Sequence, residues 1–288
     1  MKGTYQELLA EGIMQLEAVG IADASLDAWY LLSLCFHIDR MHFLMERSRE
    51  QEWQEDTVAR YQHLIEKRAA HIPLQQLTGE QEFMGLPFLV NEHVLIPRQD
   101  TEILVEHVLE WTAEQKDLTL LDMCTGSGCI ALSLAVLGKE QFSRVLAVDV
   151  SSQALEVARE NGRRLQAEVE WLKSDMFQNV PVLQADVIVS NPPYIRPDVI
   201  ETLMPEVRDH EPRMALDGGR DGLDFYRVLT KQAASFLKDQ GVLAVEIGYD
   251  QGEAVSELFA QYGFESVQVI QDLAGLDRVV MGRKRCWR

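Results

Sequence analysis

The sequence predicts an α/β fold in which a mostly parallel sheet ends in an antiparallel pair of strands, with a small helical bundle in front of it. Residues 4–70 carry apolar side chains at helical spacing. From Leu118 onward, short apolar strands alternate with helices, a pattern typical of a parallel sheet with right-handed crossovers. The last two predicted strands are separated only by AGLD, residues 274–277, so we expect them to form an antiparallel hairpin.

The helical bundle is the first predicted domain, residues 1–72. Asp23 or Ser25 is the expected N-cap of the helix that contains LDAWYLLSLC, and Asp56 or Thr57 that of the helix running to residue 70. The histidines of this region do not share one helical turn, so we expect no metal site among them. Residues 73–97 form a predicted connector, in which EFMGLPFLV indicates a β-hairpin.

The alternating pattern occupies the last predicted domain, residues 98–288, which opens with a helix at Asp100–Thr112. Helices are predicted for IALSLAVLG, SQALEVARENGRRL and DFYRVLTKQAASFLKD. The predicted strands are TLLDMC, RVLAVDV, VEWL, ADVIVS, GVLAVEIG, ESVQVIQDL and RVVMGRK. Together they predict a sheet of seven strands.

Composition narrows the classes of partner. The chain has 288 residues, 47% of them apolar, and its apolar runs are much shorter than a membrane-spanning helix needs. The start, MKGTYQELLAEG, has acidic residues where a signal peptide has an apolar core, so we expect a cytoplasmic protein. The four cysteines match neither a zinc pattern nor a disulfide framework, and the net charge of −19 disfavours direct binding to nucleic acid. These features favour a protein or small-molecule partner and predict no metal and no membrane contact.

The first predicted strand leads into DMCTGSG, residues 122–128. Gly126 and Gly128 allow a tight turn and a close approach of the backbone to a ligand at the start of the next helix. The third glycine of the dinucleotide fingerprint is missing. Asp149, at the end of the following strand, is placed to hold the hydroxyls of a ribose.

Three carboxylates follow the first three predicted strands, and they indicate the charge of the ligand. Asp122, Asp149 and Asp175 are expected on one edge of the sheet, beside Met176. Such a rim repels a pyrophosphate but suits an adenosine that carries a positive sulfonium and an amino group. The expected cofactor is therefore S-adenosylmethionine rather than NAD.

The motif NPPY, residues 191–194, follows the strand ADVIVS and indicates the acceptor of the reaction. Asn191 offers a side-chain carbonyl and Pro192 a main-chain carbonyl, and the proline pair makes the loop rigid. A planar NH₂ group of a carboxamide or of a base could donate to both oxygens, with Tyr194 as a stacking face. Combined with DMCTGSG and Asp149, the motif predicts an amino methyltransferase.

The chain resembles the HemK/PrmC family, the methyltransferases that modify the glutamine amide of class-1 peptide-chain release factors. The resemblance extends over nearly the whole length and includes FMGLPF, VLIPRQDTE, DMCTGSG, VSNPPYI and HEPRMALDGGRDGL. It implies a class I, Rossmann-like methyltransferase domain that uses S-adenosylmethionine. It also implies transfer to the N5 of the glutamine in the GGQ motif, which modulates translation termination, with the helical domain docking the release factor.

The resemblance also assigns site residues. Asn191 is expected to touch both cofactor and substrate, and Pro192, Pro193 and Tyr194 to frame the glutamine, with Asn191, Pro192 and Tyr194 as the catalytic set. Cys124 stands where a glycine is common, and Met176 where an aromatic ring often packs on adenine. The residues expected to contact the cofactor are Cys124, Thr125, Gly126, Ser127, Gly128, Asp149, Asp175, Met176 and Asn191.

Alternatives remain at this point. An adenine-N6 methyltransferase would present a flipped-out exocyclic amine to the same motif, and a non-catalytic S-adenosylmethionine-sensing adaptor would keep the fold. Arg98, Glu102, Glu211 and Arg213 lie in the family-specific stretches, where either an active-site role or a structural salt bridge fits. The basic end RKRCWR, residues 283–288, is expected to be a solvated terminus.

Overall fold

The computed structural model describes residues 1–286, which divide into two compact units. The first unit comprises Met1–Glu80 together with Met204–His210. The second comprises Gln81–Leu203 and the chain from Glu211 onward. The short segment 204–210 is thus an excursion of the later chain into the first unit.

Within Met1–Glu80, the first unit has five helices around an apolar core that contains Leu16, Leu31 and Tyr61. The first helix begins with a capping box, in which the Thr4 side chain accepts from the Glu7 amide and the Glu7 carboxylate accepts from the Thr4 amide. Two short strands, not predicted from the sequence, pair antiparallel in this unit. The elements are β1 (Lys2–Gly3), α1 (Tyr5–Ala18), α2 (Ala24–Phe36), α3 (Arg40–Glu46), β2 (Gln51–Glu52), α4 (Glu55–Ala69) and α5 (Leu74–Thr78).

One predicted N-cap of this unit is wrong, and the other residue stands at the N-cap position without forming the capping hydrogen bond. Helix α4 begins at Glu55 with Gln54 at the cap position, so Asp56 and Thr57 lie inside its first turn. Asp23 occupies the N-cap of α2 but makes no capping hydrogen bond through its side chain. Acidic side chains in the first turn of α4 still favour that helix through its dipole.

A buried ion-pair cluster ties segment 204–210 to the helices of the first unit. Nε of Arg68 lies 2.6 Å from Asp27 Oδ2, and its Nη1 lies 3.1 Å from Glu206 Oε1. His71 Nδ1 lies 3.0 Å from the same Glu206 oxygen. The side chains of Arg68 and Asp27 are less than a tenth exposed, so each charge depends on the other for compensation.

The connecting region contains the predicted hairpin. Strands β3 (Glu80–Phe83) and β4 (Leu86–Leu89) pair with each other, and the two residues between them, Met84 and Gly85, both have positive φ. Positive φ at both central residues is the geometry of a tight two-residue hairpin turn. The Met84 amide donates to Glu102 Oε1 at 2.5 Å, which fixes the turn against the following helix.

The second unit contains the seven-stranded sheet, with helices on both faces. Its strands are β5 (Leu118–Met123), β6 (Phe142–Asp149), β7 (Glu170–Lys173), β8 (Ala185–Ser190), β9 (Leu237–Glu246), β10 (Phe264–Gln271) and β11 (Asp277–Lys284). The helices that follow α5 in the chain are α6 (Gln99–Thr112), α7 (Cys129–Leu137), α8 (Ser152–Leu165), α9 (Pro197–Ile200), α10 (Pro205–Arg208), α11 (Asp224–Phe236) and α12 (Gly252–Gln261). Of these, α10 belongs to segment 204–210, and a 3₁₀ turn at Arg213–Ala215 follows it.

The sheet has the order β10-β11-β9-β8-β5-β6-β7. The central pairs are parallel, and β11 pairs antiparallel with β10, as predicted. Strand β11 also pairs antiparallel with β9, which was not predicted. The chain runs outward from β5 to β7 and then returns to the other side of β5 as β8. This reversal opens a crevice at the carboxyl ends of β5 and β8, the place where open α/β sheets bind ligands.

The fold differs from the sequence prediction at its C-terminal end. Helix α12 was not predicted, although Val255 and Phe259 pack into the core. Arg283 and Lys284 of the basic end belong to β11, and Lys284 Nζ donates to the Leu237 carbonyl at 2.7 Å. The prediction of a solvated terminus is therefore wrong for Lys284, which is half-buried, whereas Arg283, Arg285 and Cys286 are exposed; positions 287–288 lie outside the described residues.

Candidate functional site

A cavity of about 340 Å³ lies at the carboxyl ends of the central strands. Its volume is within the range of about 300–1,000 Å³ typical of small-molecule sites. Most of the predicted site residues border it, and they come from the loops after β5, β6, β7 and β8. These are Cys124, Thr125, Gly126, Ser127, Asp149, Asp175, Met176, Asn191 and Pro193. Gly128, Pro192 and Tyr194 lie behind this lining.

The loop after β5 turns through residues with positive φ. Gly126 has φ +56°, and a Cβ added there would meet no heavy atom within 4 Å. Gly128 has φ +82° at the N-cap of α7, and a Cβ there would lie 3.0 Å from Leu132 and 3.1 Å from Trp171. Gly126 therefore leaves room on the cavity side, whereas Gly128 allows close packing of the helix behind it.

The prediction that three carboxylates line one rim is wrong for Asp122. This residue is fully buried beneath the loop, where its Oδ2 accepts from Thr125 Oγ1 at 2.6 Å and from the Ala131 amide at 3.2 Å. Burial raises its pKa to about 7, and these two hydrogen bonds oppose the rise. Asp122 thus holds the loop in shape and does not line the cavity.

Asp149 and Asp175 do line the cavity, together with Met176. Asp149 supports the glycine loop from β6, since its Oδ2 accepts from the Gly126 amide and its Oδ1 from the Ser151 amide, both at 2.8 Å. Burial raises the pKa of Asp149, against the effect of these backbone donors. Asp175 is exposed at the cavity edge and accepts from Gln178 at 2.7 Å. Two acidic side chains therefore remain on the rim.

The NPPY loop follows β8 and places Asn191 at the cavity. The Asn191 Nδ2 atom donates to Thr101 Oγ1 at 3.1 Å. Pro192 is buried, and Pro193 borders the cavity beside Asn191. The Tyr194 hydroxyl donates to Glu246 Oε1 at 3.2 Å, so this side chain is anchored below the loop.

The segment DGGRDG, residues 217–222, clamps this loop from the other side. Ile195 and Asp217 form a parallel bridge, and the Gly218 amide donates to the Ile195 carbonyl at 2.9 Å. A Cβ at Gly218 would lie 2.6 Å from the Tyr194 Cα, and one at Gly222 would lie 2.4 Å from the Tyr194 carbonyl oxygen. Glycine is required at both positions because the two backbones touch.

The structure adds two residues that the sequence reasoning missed, Thr101 and Glu246. Thr101 is buried on α6 and borders the cavity, and Glu246 ends β9 beside the NPPY strand. Burial raises the pKa of Glu246 to about 7. The sequence held part of the signal, because a carboxylate in the apolar run VLAVEIG marks the end of a buried strand; that this strand lies beside ADVIVS is visible only in the sheet order.

The residues of the family-specific stretches take different positions. Arg98 borders the cavity and is hydrogen-bonded to Glu211, whose side chain is buried. Burial raises the pKa of Glu211, and the Arg98 charge opposes this rise. Arg213 pairs with Glu201 at the surface, 2.9 Å apart, and Glu102 caps the hairpin turn described above.

Within residues 1–286, no group of three or more histidine, cysteine and acidic side chains is arranged to hold a metal ion. In the same part of the chain, no helix has the length and apolarity to cross a membrane. Burial raises the pKa of the Cys124 thiol well above its usual value, so this cysteine at the cavity is a poor nucleophile.

Solved structures share the fold of a large part of this chain. A methyltransferase from Pyrococcus furiosus aligns with a TM-score of 0.54 at 20% identity, covering 71% of this chain and 91% of that one. A 16S rRNA N2 G1207 methyltransferase from T. thermophilus, in complex with AdoMet and guanosine, aligns with a TM-score of 0.51 at 17% identity, covering 72% and 50%. These likenesses show the methyltransferase fold.

Sequence comparisons extend to both units. Residues 7–79 match the PrmC N-terminal domain, and residues 98–206 match the methyltransferase small domain. A release factor glutamine methyltransferase from Moorella thermoacetica is 44% identical over 285 residues, covering 98% of this chain and 99% of the relative. One from Clostridium botulinum is 40% identical over 283 residues, covering 97% and 99%. Matched in both parts and aligned with such relatives from end to end, the chain belongs to the release factor glutamine methyltransferase family.

Proposed function

We propose that this protein transfers a methyl group from S-adenosylmethionine to the side-chain amide nitrogen of a glutamine in a peptide-chain release factor. The observation that carries the proposal is the shared cavity, in which Asn191 and Pro193 face the same space as Gly126 and Asp149. A site for a planar amide thus adjoins a site for a nucleoside. The family name of the relatives agrees with this chemistry.

The lining fits S-adenosylmethionine. The missing side chain of Gly126 leaves open space beside the loop, so a ligand can approach the backbone. Asp149 and Asp175 give the rim the negative charge that suits a cationic ligand. The bound cofactor would supply an electrophilic methyl group on a positively charged sulfur. The residues that would hold it are Cys124, Thr125, Gly126, Ser127, Asp149, Asp175 and Met176.

The NPPY loop would hold the glutamine. With its Nδ2 engaged by Thr101, Asn191 has its Oδ1 left to accept a hydrogen from the substrate amide. The Pro192 carbonyl is the proposed second acceptor, and Pro193 would border the amide. Two acceptors orient the nitrogen for attack, and such alignment is a major contribution to rate. Stacking of the amide on Tyr194 stays a prediction, because its ring is not part of the cavity lining.

The proposal extends to the protein partner and to the part of the chain that binds it. We infer that the substrate is the glutamine of the GGQ motif in class-1 release factors, methylated at N5, and that residues 1–72 dock the factor. The structure offers exposed apolar side chains there, including Tyr30, Met41, Leu44 and Met45 on α2 and α3. The protein would act in the cytoplasm and without direct contact to nucleic acid.

Labelled S-adenosylmethionine tests the proposal directly. The enzyme is incubated with a release factor, with the same factor carrying Gln→Ala in its GGQ motif, and with a factor in which a glutamine elsewhere is replaced. We expect label in the first and third proteins alone, and one added methyl on the GGQ peptide by mass spectrometry. Persistent labelling of the GGQ variant, or transfer to an oligonucleotide instead of protein, would overturn the assignment.

A further inference from the structure

Glu246 is a buried carboxyl directly below the NPPY loop. It ends β9, is 2% exposed, and its Oε1 accepts from the Tyr194 hydroxyl at 3.2 Å. Its second oxygen, Oε2, has no hydrogen-bond partner within the described part of the chain. An acidic group buried in this way destabilises the fold unless the surrounding polar groups compensate for it.

The polar groups around Glu246 are those of the site. The Tyr194 hydroxyl donates to this carboxyl, and the polar side chains of Thr101 and Asn191 face it; these neighbours lower its pKa, against the larger effect of burial. The Thr101 hydroxyl also accepts from Asn191 Nδ2 at 3.1 Å. Glu246 therefore faces both the hydroxyl that holds Asn191 and the amino end of the Asn191 amide itself.

The direction of these hydrogen bonds follows from the chemistry of the carboxylate. An ionised carboxylate only accepts, so each group that faces it must present a hydrogen. The Thr101 hydroxyl, which faces Glu246, can turn its hydrogen toward the carboxylate and keep a lone pair for Asn191. Asn191 must then donate to this lone pair through Nδ2, and its Oδ1 is the end that faces the cavity.

We propose that Glu246 and Thr101 are positioning residues that hold the Asn191 amide with its oxygen, and not its nitrogen, toward the substrate. Turned the other way, Asn191 would present donors to an NH₂ group that needs acceptors. The inference rests on the proposed transfer to an amide. The added point is that the Asn191 amide is oriented by residues outside the NPPY motif, Glu246 on β9 and Thr101 on α6.

Two substitutions of Thr101 test the inference, one that keeps the shape of the side chain and one that keeps its hydroxyl. Thr101→Val removes the acceptor for Asn191 Nδ2 but keeps the shape, whereas Thr101→Ser keeps the hydroxyl. We expect Thr101→Val to lower kcat by about tenfold to a hundredfold, as misoriented reactants do, with cofactor Kd nearly unchanged. Thr101→Ser should recover most of this loss. If both variants are equally impaired, or if neither is, the positioning role is wrong.

Glu246→Gln supplies a second readout, since the amide can donate as well as accept. At saturating substrates, the wild-type kcat should fall as the pH drops through about 7, where Glu246 becomes protonated and able to donate. The variant should start from a lower kcat and lose the part of this acidic limb that belongs to Glu246, while Asp122, whose pKa burial also raises to about 7, remains in both enzymes. The other titratable groups facing Glu246 remain in both enzymes: Asp100, Cys129, Tyr194 and Tyr226.

The controls separate the two proposals. Wild-type turnover in the same assay establishes the proposed function independently of any variant. Thermal unfolding and calorimetric binding of S-adenosylmethionine identify a variant that fails to fold, and the Thr101 pair then decides alone. An acidic limb of kcat that is unchanged in Glu246→Gln would refute the directional role of the carboxylate.

Discussion

Replacing Gly126 with alanine tests where the cofactor lies, because the added methyl group would point into the cavity. Gly126 has φ +56°, and a Cβ built there meets no heavy atom within 4 Å. The left-handed region costs a residue with a side chain about 1–2 kcal/mol. A unit of this size loses about 2–4 °C in unfolding temperature for each kcal/mol, so we expect a decrease of about 2–8 °C.

A glycine elsewhere in the same unit provides the matched control. Gly263, directly after α12 and its C-cap, has φ +84° and likewise no heavy atom within 4 Å of an added Cβ. It does not border the cavity. Gly263→Ala should therefore carry the same backbone penalty as Gly126→Ala and leave cofactor binding unchanged.

The two variants should differ in affinity for S-adenosylmethionine, measured by isothermal titration calorimetry. One extra methyl group in a close-packed site costs about 1–3 kcal/mol, which corresponds to a Kd raised by about fivefold to 150-fold. The loss should appear in Gly126→Ala alone. Equal affinities in the two variants would refute the placement of the cofactor against this loop, whatever their stabilities.

Asn191→Ala should reduce turnover by about a hundredfold or more yet largely keep cofactor binding, since it removes an acceptor for the substrate amide; label transfer and calorimetry check this, and near-normal turnover would contradict it. Asp122→Asn should gain stability relative to the wild type as the pH rises from about 4 to 7, in chemical denaturation at several pH values. The raised pKa of about 7 means that the folded state holds a proton that the unfolded state, near 3.8, has lost, and this costs wild-type stability across that window. A difference independent of pH would show that Asp122 titrates normally. Arg68→Ala should lower the free energy of unfolding by about 3–5 kcal/mol, because Asp27 is left buried without its partner. Arg144→Ala breaks an exposed ion pair with Glu170 and should lower the free energy of unfolding by less than about 1 kcal/mol. Urea denaturation of both variants measures the two losses, and losses of equal size would argue against the buried cluster.

Much of the fold was predictable, because the strongest patterns are local. Helix α8 and strand β8 have the predicted bounds, since one carries a clear apolar stripe and the other is a continuous apolar run. The β1–β2 pair was not predictable in this way, because two residues at the start of the chain meet two others about fifty positions later. Periodicity contains no information on such a contact. Helix α12 is short and lacks a side-chain cap, which removes the usual start signal.

The sequence predicted which strand ends form the site, but not which of their side chains are buried and which reach the cavity. Asp122, Asp149 and Asp175 look equivalent in the sequence, as each lies at or just after the end of a strand. Only the structure shows that Asp122 lies under the loop whereas the other two reach the cavity. Glu246 was missed for the same reason, because the position of a carboxyl relative to a neighbouring loop depends on the order of strands in the sheet.

The excursion of segment 204–210 changes how this chain can be divided. The backbone passes between the two units at Glu80–Gln81, at Leu203–Met204 and again at His210–Glu211. A single cut after Glu80 therefore releases neither unit whole. The amino-terminal fragment would lack Glu206, the carboxylate that Arg68 and His71 share, and the remaining fragment would carry an unsupported heptapeptide between its NPPY and DGGRDG segments. Exchange of either unit by recombination at a single border would therefore separate residues that belong to the first unit.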